Sequence, residues 1–294
     1  LVTKPSEGAP TLSIIVVSLT SREQTLNCLQ QLRESNVLSS SPGGTSEVIV
    51  VDLVGTEAES CEFESNFPCV TVLTEASDIG FARATNLGIA AAQAEHILLI
   101  DPFTEIPGRL VPDMVLHLDT NERVAAVGPQ LIDSQGSAIV PAASGAPERG
   151  EPNGAAIPGG PPQGVTTSMR AVEWLPATCL MLNRSALEEI GGLEEVFLQQ
   201  FEEIDWCRRA REALWNIHHL DSVSVVLLDD HSQLNGDGDA AGEAPYDGQF
   251  SGSRRAYLRQ HPGSAAAVAV GAVKNSTHKL VQSAKVAIGL ASEG

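Results

Sequence analysis

Ile97-Leu98-Leu99-Ile100-Asp101-Pro102-Phe103-Thr104-Glu105 is the stretch on which the fold reading turns. Four large aliphatic residues without alternation mark a short strand buried on both faces, and the acid directly after them sets a carboxylate at that strand's C-terminal end. In open α/β sheets ligands sit beyond that end, and a carboxylate there can present a divalent ion to a diphosphate. Asp101 is half of such a device, because Phe103 stands where a second carboxylate would complete it.

The flanking segments repeat the pattern. Leu12 to Val17 is a β-branched run, followed by a helical pattern with Leu26, Leu29 and Leu32 on one face and Thr20 or Ser21 as its cap. A Ser-, Pro- and Gly-rich turn leads to the strand Glu47 to Val51, which ends at Asp52. A short strand Val70 to Leu73, a helix from Phe81 to Ala92, the strand Ile97 to Ile100, a helix Leu110 to Thr120 and the run Val124 to Gly128 follow. Strands alternating with helices predict an α/β fold, a doubly wound, Rossmann-like and mostly parallel sheet flanked by helices with right-handed crossovers. Ser18, Asp52 and Asp101 all fall at carboxyl ends of strands, on one rim.

Past Gly128 the chain changes character. Residues 141–168 are rich in Pro, Gly and Ala and nearly devoid of large apolar side chains, so burial there cannot offset the entropy of ordering, and a flexible insertion is expected. Order resumes at Val172 to Leu175 and Cys179 to Leu182, then in a helix Arg184 to Ile190 stopped by Gly191-Gly192. Phe201 to Leu214 reads as a helix with Glu202, Glu203 and Asp205 at its start and Arg208, Arg209 and Arg211 later, the sense the helix dipole favours. His218-His219 precedes a strand expected over Ser222 to Leu228. The predicted organisation is a loose lead-in over 1–10, one α/β domain over 11–232, a Gly- and Asp-rich loop over 233–252 and a helical tail over 253–294.

With 294 residues, 43% of them hydrophobic, the chain can bury a full core. A formal net charge of -19 without a basic stripe excludes nucleic acid as a partner. Five cysteines without CxxC spacing read as reduced packing residues, and the histidines lack zinc-ligand spacing. No apolar run reaches the roughly 18 residues needed to span a bilayer, and no basic-then-apolar leader opens the sequence, so a cytoplasmic location is expected. In the tail, Val270, Val273, Leu280, Ala284 and Ile288 recur near helical spacing, with Lys274, His278 and Lys285 on another face. Such a helix either rests on an anionic membrane at its inner face or docks on its own domain.

Several stretches taken together resemble the family 2 glycosyltransferases, especially the rhamnosyltransferase-like branch. They are Gly80-Phe81-Ala82-Arg83-Ala84-Thr85-Asn86, Pro102 with Thr104-Glu105-Ile106-Pro107, Ala126-Val127-Gly128-Pro129, Ala186-Leu187-Glu188-Glu189-Ile190-Gly191-Gly192, and Phe201-Glu202-Glu203-Ile204-Asp205-Trp206-Cys207-Arg208-Arg209. The resemblance implies the GT-A fold, a nucleoside diphosphate sugar as donor, a glycan or lipid-linked hydroxyl as acceptor, and inversion at the anomeric centre. It implies further that Asp52 contacts the base or ribose, that Arg83 lines the donor pocket, that Asp101 belongs to a motif binding Mg²⁺ or Mn²⁺, and that Glu203 is the general base.

The departures from that family fall on the chemical positions. Ser18-Leu19-Thr20 replaces Asn-Tyr-Asn, Asp52-Leu53-Val54-Gly55 replaces Asp-Asn followed by small polar residues, and Phe103 removes the metal motif's second acid. Glu203 stands for the usual Asp, and Val226-Leu227-Leu228-Asp229 occupies a place where His is common. Each position therefore has a second reading. Asp101 caps the following turn, Glu202, Glu203 and Asp205 serve the helix N-terminus, and Asp52 and Arg83 form a surface ion pair. Two functions stay open: an inverting glycosyltransferase with an impaired metal motif, and a catalytically silent relative acting as a binding or structural subunit.

Overall fold

The computed structural model describes residues 10–35, 37, 46–67, 69–75, 79–138, 169–197 and 201–228. Residues 1–9, the 141–168 insertion, the 233–252 loop and the 253–294 tail lie outside the described residues.

Strands β1 (Leu12–Ser18), β2 (Ser46–Asp52), β3 (Val70–Thr74) and β4 (His96–Ile100) alternate with helices α1 (Arg22–Glu34), α2 (Glu57–Asn66) and α3 (Phe81–Ala91). The chain continues through β5 (Thr104–Glu105), α4 (Leu110–Thr120), β6 (Val124–Ile132), β7 (Met169–Ala171), β8 (Cys179–Asn183), α5 (Arg184–Ile190), α6 (Glu202–Glu212) and β9 (Asn216–Leu227). All nine strands belong to one sheet in the order β3-β2-β1-β4-β8-β6-β9-β5, with β7 on β9. β3, β2, β1 and β4 pair in parallel, as do β6 and β9.

The period-two geometry of a strand sorts its side chains between two layers. Ile14, Val16, Val48, Val50, Leu98 and Ile100 point to a cluster shared with Cys28, Leu29 and Leu32 of α1, Phe63 of α2, and Leu110, Met114 and Leu118 of α4. Ile15, Val17, Ile49, Val51, Ile97 and Leu99 point the other way, onto Ala82, Ala84 and Ile89 of α3, Ala186 and Leu187 of α5, and Trp206, Cys207 and Ala210 of α6. Helices thus cover both faces, which is why the strands read as continuous apolar runs. The mostly parallel, helix-flanked sheet expected from the sequence is the one observed.

Three differences from the expected elements have local causes. β8 runs antiparallel to both β4 and β6, a direction that a five-residue apolar run does not encode. α2 is not announced by the sequence, because Glu57–Asn66 is acid-rich and offers Phe63 as its one large apolar side chain. His218-His219 lies inside β9 instead of ahead of it, because that strand starts at Asn216 and its pairing with β6 shifts register between Leu220 and Ser224.

Candidate functional site

At the carboxyl rim, Ser18 and Asp52 are register partners at the ends of β1 and β2, and the Leu53 N–H donates to the Ser18 carbonyl at 3.0 Å. Asp52 is completely buried. Its Oδ1 accepts from the Val54 and Gly55 N–H groups at 3.1 and 3.2 Å, and its Oδ2 accepts from the Ser60 hydroxyl at 2.9 Å and from Arg22. The ionic partner of Asp52 is therefore Arg22 at the start of α1, whereas Arg83 is exposed in the first turn of α3.

Asp101 follows β4 directly. Its N–H donates to the Thr178 carbonyl at 2.8 Å, its Oδ1 accepts from the Phe103 N–H at 2.8 Å, and its carbonyl accepts from the Thr104 hydroxyl at 2.7 Å. The carboxylate thus fastens the Pro102-Phe103 turn, the geometry of an Asx-turn. Phe103 is buried and its carbonyl accepts from the Leu228 N–H at 2.7 Å, which ties the turn to the end of β9. Among the described residues, no three His, Cys, Asp or Glu side chains are grouped to hold a metal. Asp101 contributes one carboxylate at this rim, which is enough for Mg²⁺ or Mn²⁺ where substrate phosphates supply further oxygens.

Below the rim, burial and the charge of Asp101 push the Cys28 thiol up to about 12. Burial does the same to Cys179, to about 12, with Cys28 adding to the effect. Cys28, Cys179 and Cys207 are buried, as packing residues should be, whereas Cys61 and Cys69 are exposed, so the packing role expected of all five holds for three of them.

Glu203 lies in the first turn of α6, a helix entered through Phe201 in a left-handed conformation, φ 84°. A non-glycine residue is strained there, and the full burial of the Phe201 side chain holds it in place. The Glu203 Oε2 is sealed from solvent without a hydrogen-bond partner. Burial pushes its carboxyl up to about 7, against a smaller opposing effect of a backbone hydrogen bond. The Leu175 backbone and the Glu203 charge both act on the buried Cys207 thiol, while Thr178, three residues on from Leu175, binds Asp101.

The frame behind Glu203 is fixed by polar contacts. Arg209 donates to Asp205 at 2.7 Å and to the carbonyls of Ile190 and Gly192 at 3.0 and 2.8 Å, and Trp206 Nε1 donates to the Gly191 carbonyl at 2.9 Å. Asn86 on α3 closes the arrangement, donating to the Leu193 carbonyl at 2.8 Å and accepting from its N–H at 2.9 Å. Trp206 and Trp215 are buried, in keeping with the packing role expected of them, and Trp174 is half-buried against the same cluster.

Away from the rim, His117 on α4 and His218 on β9 share a 2.9 Å hydrogen bond, both buried. Burial lowers both pKa values, that of His218 to about 4 with His117 adding to the effect.

Sequence reasoning missed Arg22, Asn86 and the left-handed Phe201. Arg22 follows the cap Ser21, a placement that signals a helix start and no chemistry. Its role appears only when β2 brings Asp52 beside it.

The profile described as Glycosyl transferase family 2 matches residues 13–191. The low-salt glycan biosynthesis hexosyltransferase Agl10 of Haloferax volcanii is 25% identical over 224 residues, 73% of this chain and 66% of that protein. The N-acetylglucosaminyl-diphospho-decaprenol L-rhamnosyltransferase of Mycobacterium tuberculosis is 27% identical over 209 residues, 63% of this chain and 67% of its own length. The chain thus spans about two thirds of these relatives. A mannosyltransferase from Pyrobaculum calidifontis, solved with GDP-Man and Mn²⁺, superposes with a TM-score of 0.55 at 16% identity, covering 98% of this chain and 83% of that one. GalNAc-T7, solved with UDP, GalNAc and Mn²⁺, gives a TM-score of 0.55 at 12% identity over 76% of this chain and 44% of its own. These likenesses give the fold as GT-A.

Proposed function

Because the chain belongs to glycosyl transferase family 2, we propose that it transfers a sugar from a nucleoside diphosphate to a hydroxyl acceptor with inversion. The observation that carries this reading is the buried, unpartnered Glu203 Oε2 with its pKa raised to about 7, the value a general base needs near neutral pH. A carboxylate serving only to favour a helix N-terminus would gain from exposure to the N–H groups and would keep an ordinary acidity.

In the proposed step the acceptor oxygen bonds to the anomeric carbon on the face opposite the diphosphate, and its proton passes to Glu203. The anomeric C–O bond breaks with its electron pair leaving on the nucleoside diphosphate. Asp52 belongs to the nucleoside end of the donor, and Arg83 contributes positive charge along it. Asp101 would hold a divalent ion, which supplies charge neutralisation at the diphosphate. A lipid-linked acceptor is the class favoured by the rhamnosyltransferase relative's name, and a membrane-resting tail would suit it.

The test is calorimetric titration with UDP, GDP and dTDP in Mg²⁺ or Mn²⁺, followed by donor turnover in wild type and Glu203→Gln. Binding with turnover that falls by about 10²–10⁴ in the variant supports transfer. A second reading, a silent binding subunit, is favoured by the buried Phe103 in the metal motif. It predicts nucleotide binding with no turnover for Glu203→Gln to abolish.

A further inference from the structure

We propose that Asp52 acts in the donor site as a positioning residue and that Arg22, which it fixes, is the group that reads the nucleoside. The proposal rests on the transferase reading above and assigns it a specificity residue.

Asp52 is completely buried with both oxygens engaged, each by two donors, so a ligand would have to displace one of them to reach it. Arg22 is different, with 18% of its side chain still exposed. It pairs with Asp52 on one side, faces the Glu62 carboxylate at 3.7 Å, and sits over the Phe63 ring at 4.5 Å from the centroid. Gly55 completes the clamp. A Cβ there would collide with Arg22 Nη1 and come within 2.7 Å of Asp52 Oδ2, so the bare backbone lies against the ion pair.

A guanidinium held from several sides has already lost most of the rotamer freedom that ligand binding would otherwise cost it. It pairs with Asp52 where β1 and β2 end, and the residues that follow those strands include Leu19 and Val54, 37% and 45% exposed. The result is a fixed donor group at a rim that also exposes apolar side chains, which suits a flat base with polar edges. Arg donates and never accepts. It therefore favours a base that presents carbonyl oxygens, as uracil, thymine and guanine do, over adenine, whose corresponding edge carries an amino donor.

Calorimetry on the full chain with UDP, GDP, ADP and inorganic pyrophosphate tests this. The variants are Arg22→Met and the double variant Arg22→Met with Asp52→Asn, which leaves no orphaned buried charge if the single change unfolds the protein. Wild type should bind the better of UDP and GDP about ten-fold or more tightly than ADP, the scale of one charge-assisted hydrogen bond. Both variants should lose that preference and keep pyrophosphate affinity. Val54→Ser, at an exposed position outside the ion pair, should weaken UDP or GDP without touching pyrophosphate. Unchanged base preference in a folded variant, parallel loss of pyrophosphate, or no preference in wild type would each overturn the proposal. Wild type that binds neither nucleotide nor pyrophosphate would instead overturn the transferase reading itself.

Discussion

Replacing Glu203 by Gln should make the protein more stable at alkaline pH while it removes activity. In the folded chain burial raises the carboxyl from 4.5 to about 7, so the folded state holds its proton more tightly than the unfolded state. The group's favourable contribution is fully present below the unfolded pKa and is lost as pH rises through the folded one. The shift corresponds to about 3 kcal/mol, of which roughly 2 to 3 kcal/mol disappears between about pH 5 and about pH 8. The amide introduced by Glu203→Gln does not titrate, so the stability of the variant relative to wild type should rise by that amount over the interval.

The difference between the two proteins is the quantity to measure, because the His117–His218 pair changes in the opposite sense over the same range. His218 is held down to about 4, so its contribution is present above the unfolded value of 6.5 and is lost as pH falls. In wild type alone the two effects offset each other, and in the comparison the histidine contribution cancels. Urea unfolding of both proteins across this range is the assay, with donor turnover measured in parallel. Turnover in wild type should climb about ten-fold between about pH 6 and about pH 8 as Glu203 ionises. A stability difference that stays flat with pH would refute the burial argument, and with it the reason for assigning the base to Glu203.

Other substitutions probe the surrounding frame. Phe103→Asp, which on sequence grounds would restore a metal ligand, should cost about 3 kcal/mol or more because it sets a charge in a buried site, and a thermal melt in the absence and presence of Mn²⁺ reads the outcome. Gly192→Ala drives a methyl into Asn86 Oδ1 and should cost about 1–3 kcal/mol in chemical denaturation by breaking the paired hydrogen bonds to Leu193. His218→Gln removes the buried titration, so its urea midpoint should fall less steeply than that of wild type as pH drops from about 6.5 towards 4.

Residues that hold the frame are legible in the sequence because their jobs leave local signatures. The apolar runs of β1, β2 and β4 announce strands covered on both faces, and the capped amphipathic pattern of α1 carries its start in Ser21, whose hydroxyl accepts from the Gln24 N–H at 3.3 Å. Gly191-Gly192 reads as a helix stop, and α5 does end at Ile190. What the sequence does not disclose is that Gly192 leaves room for Asn86, or that Trp206 and Arg209 bind the same turn, because those contacts join positions far apart in the chain. The direction of β8 is hidden for a related reason, since an apolar pentapeptide pairs either way.

The site is less legible than the frame, and Asp52 and Asp101 show why. Both stand at strand ends, as their sequence positions imply, yet the chemical capacity of a carboxylate depends on which donors already occupy it. Four donors reach Asp52, three of them contributed by residues after β2, and a fourth, Arg22, comes from 30 positions earlier. Asp101 gives one oxygen to the Phe103 N–H and remains half-buried. A residue-by-residue match gives both acids the same standing, whereas the hydrogen bonds divide them into an internal strut and a half-buried rim acid that fastens a turn. The departures at Val54 and Gly55 then cease to be independent losses. Gly55 leaves room for the Arg22 guanidinium and, like Val54, gives its N–H to Asp52, so two of the changes that made this chain look chemically degraded belong to one arrangement about that ion pair.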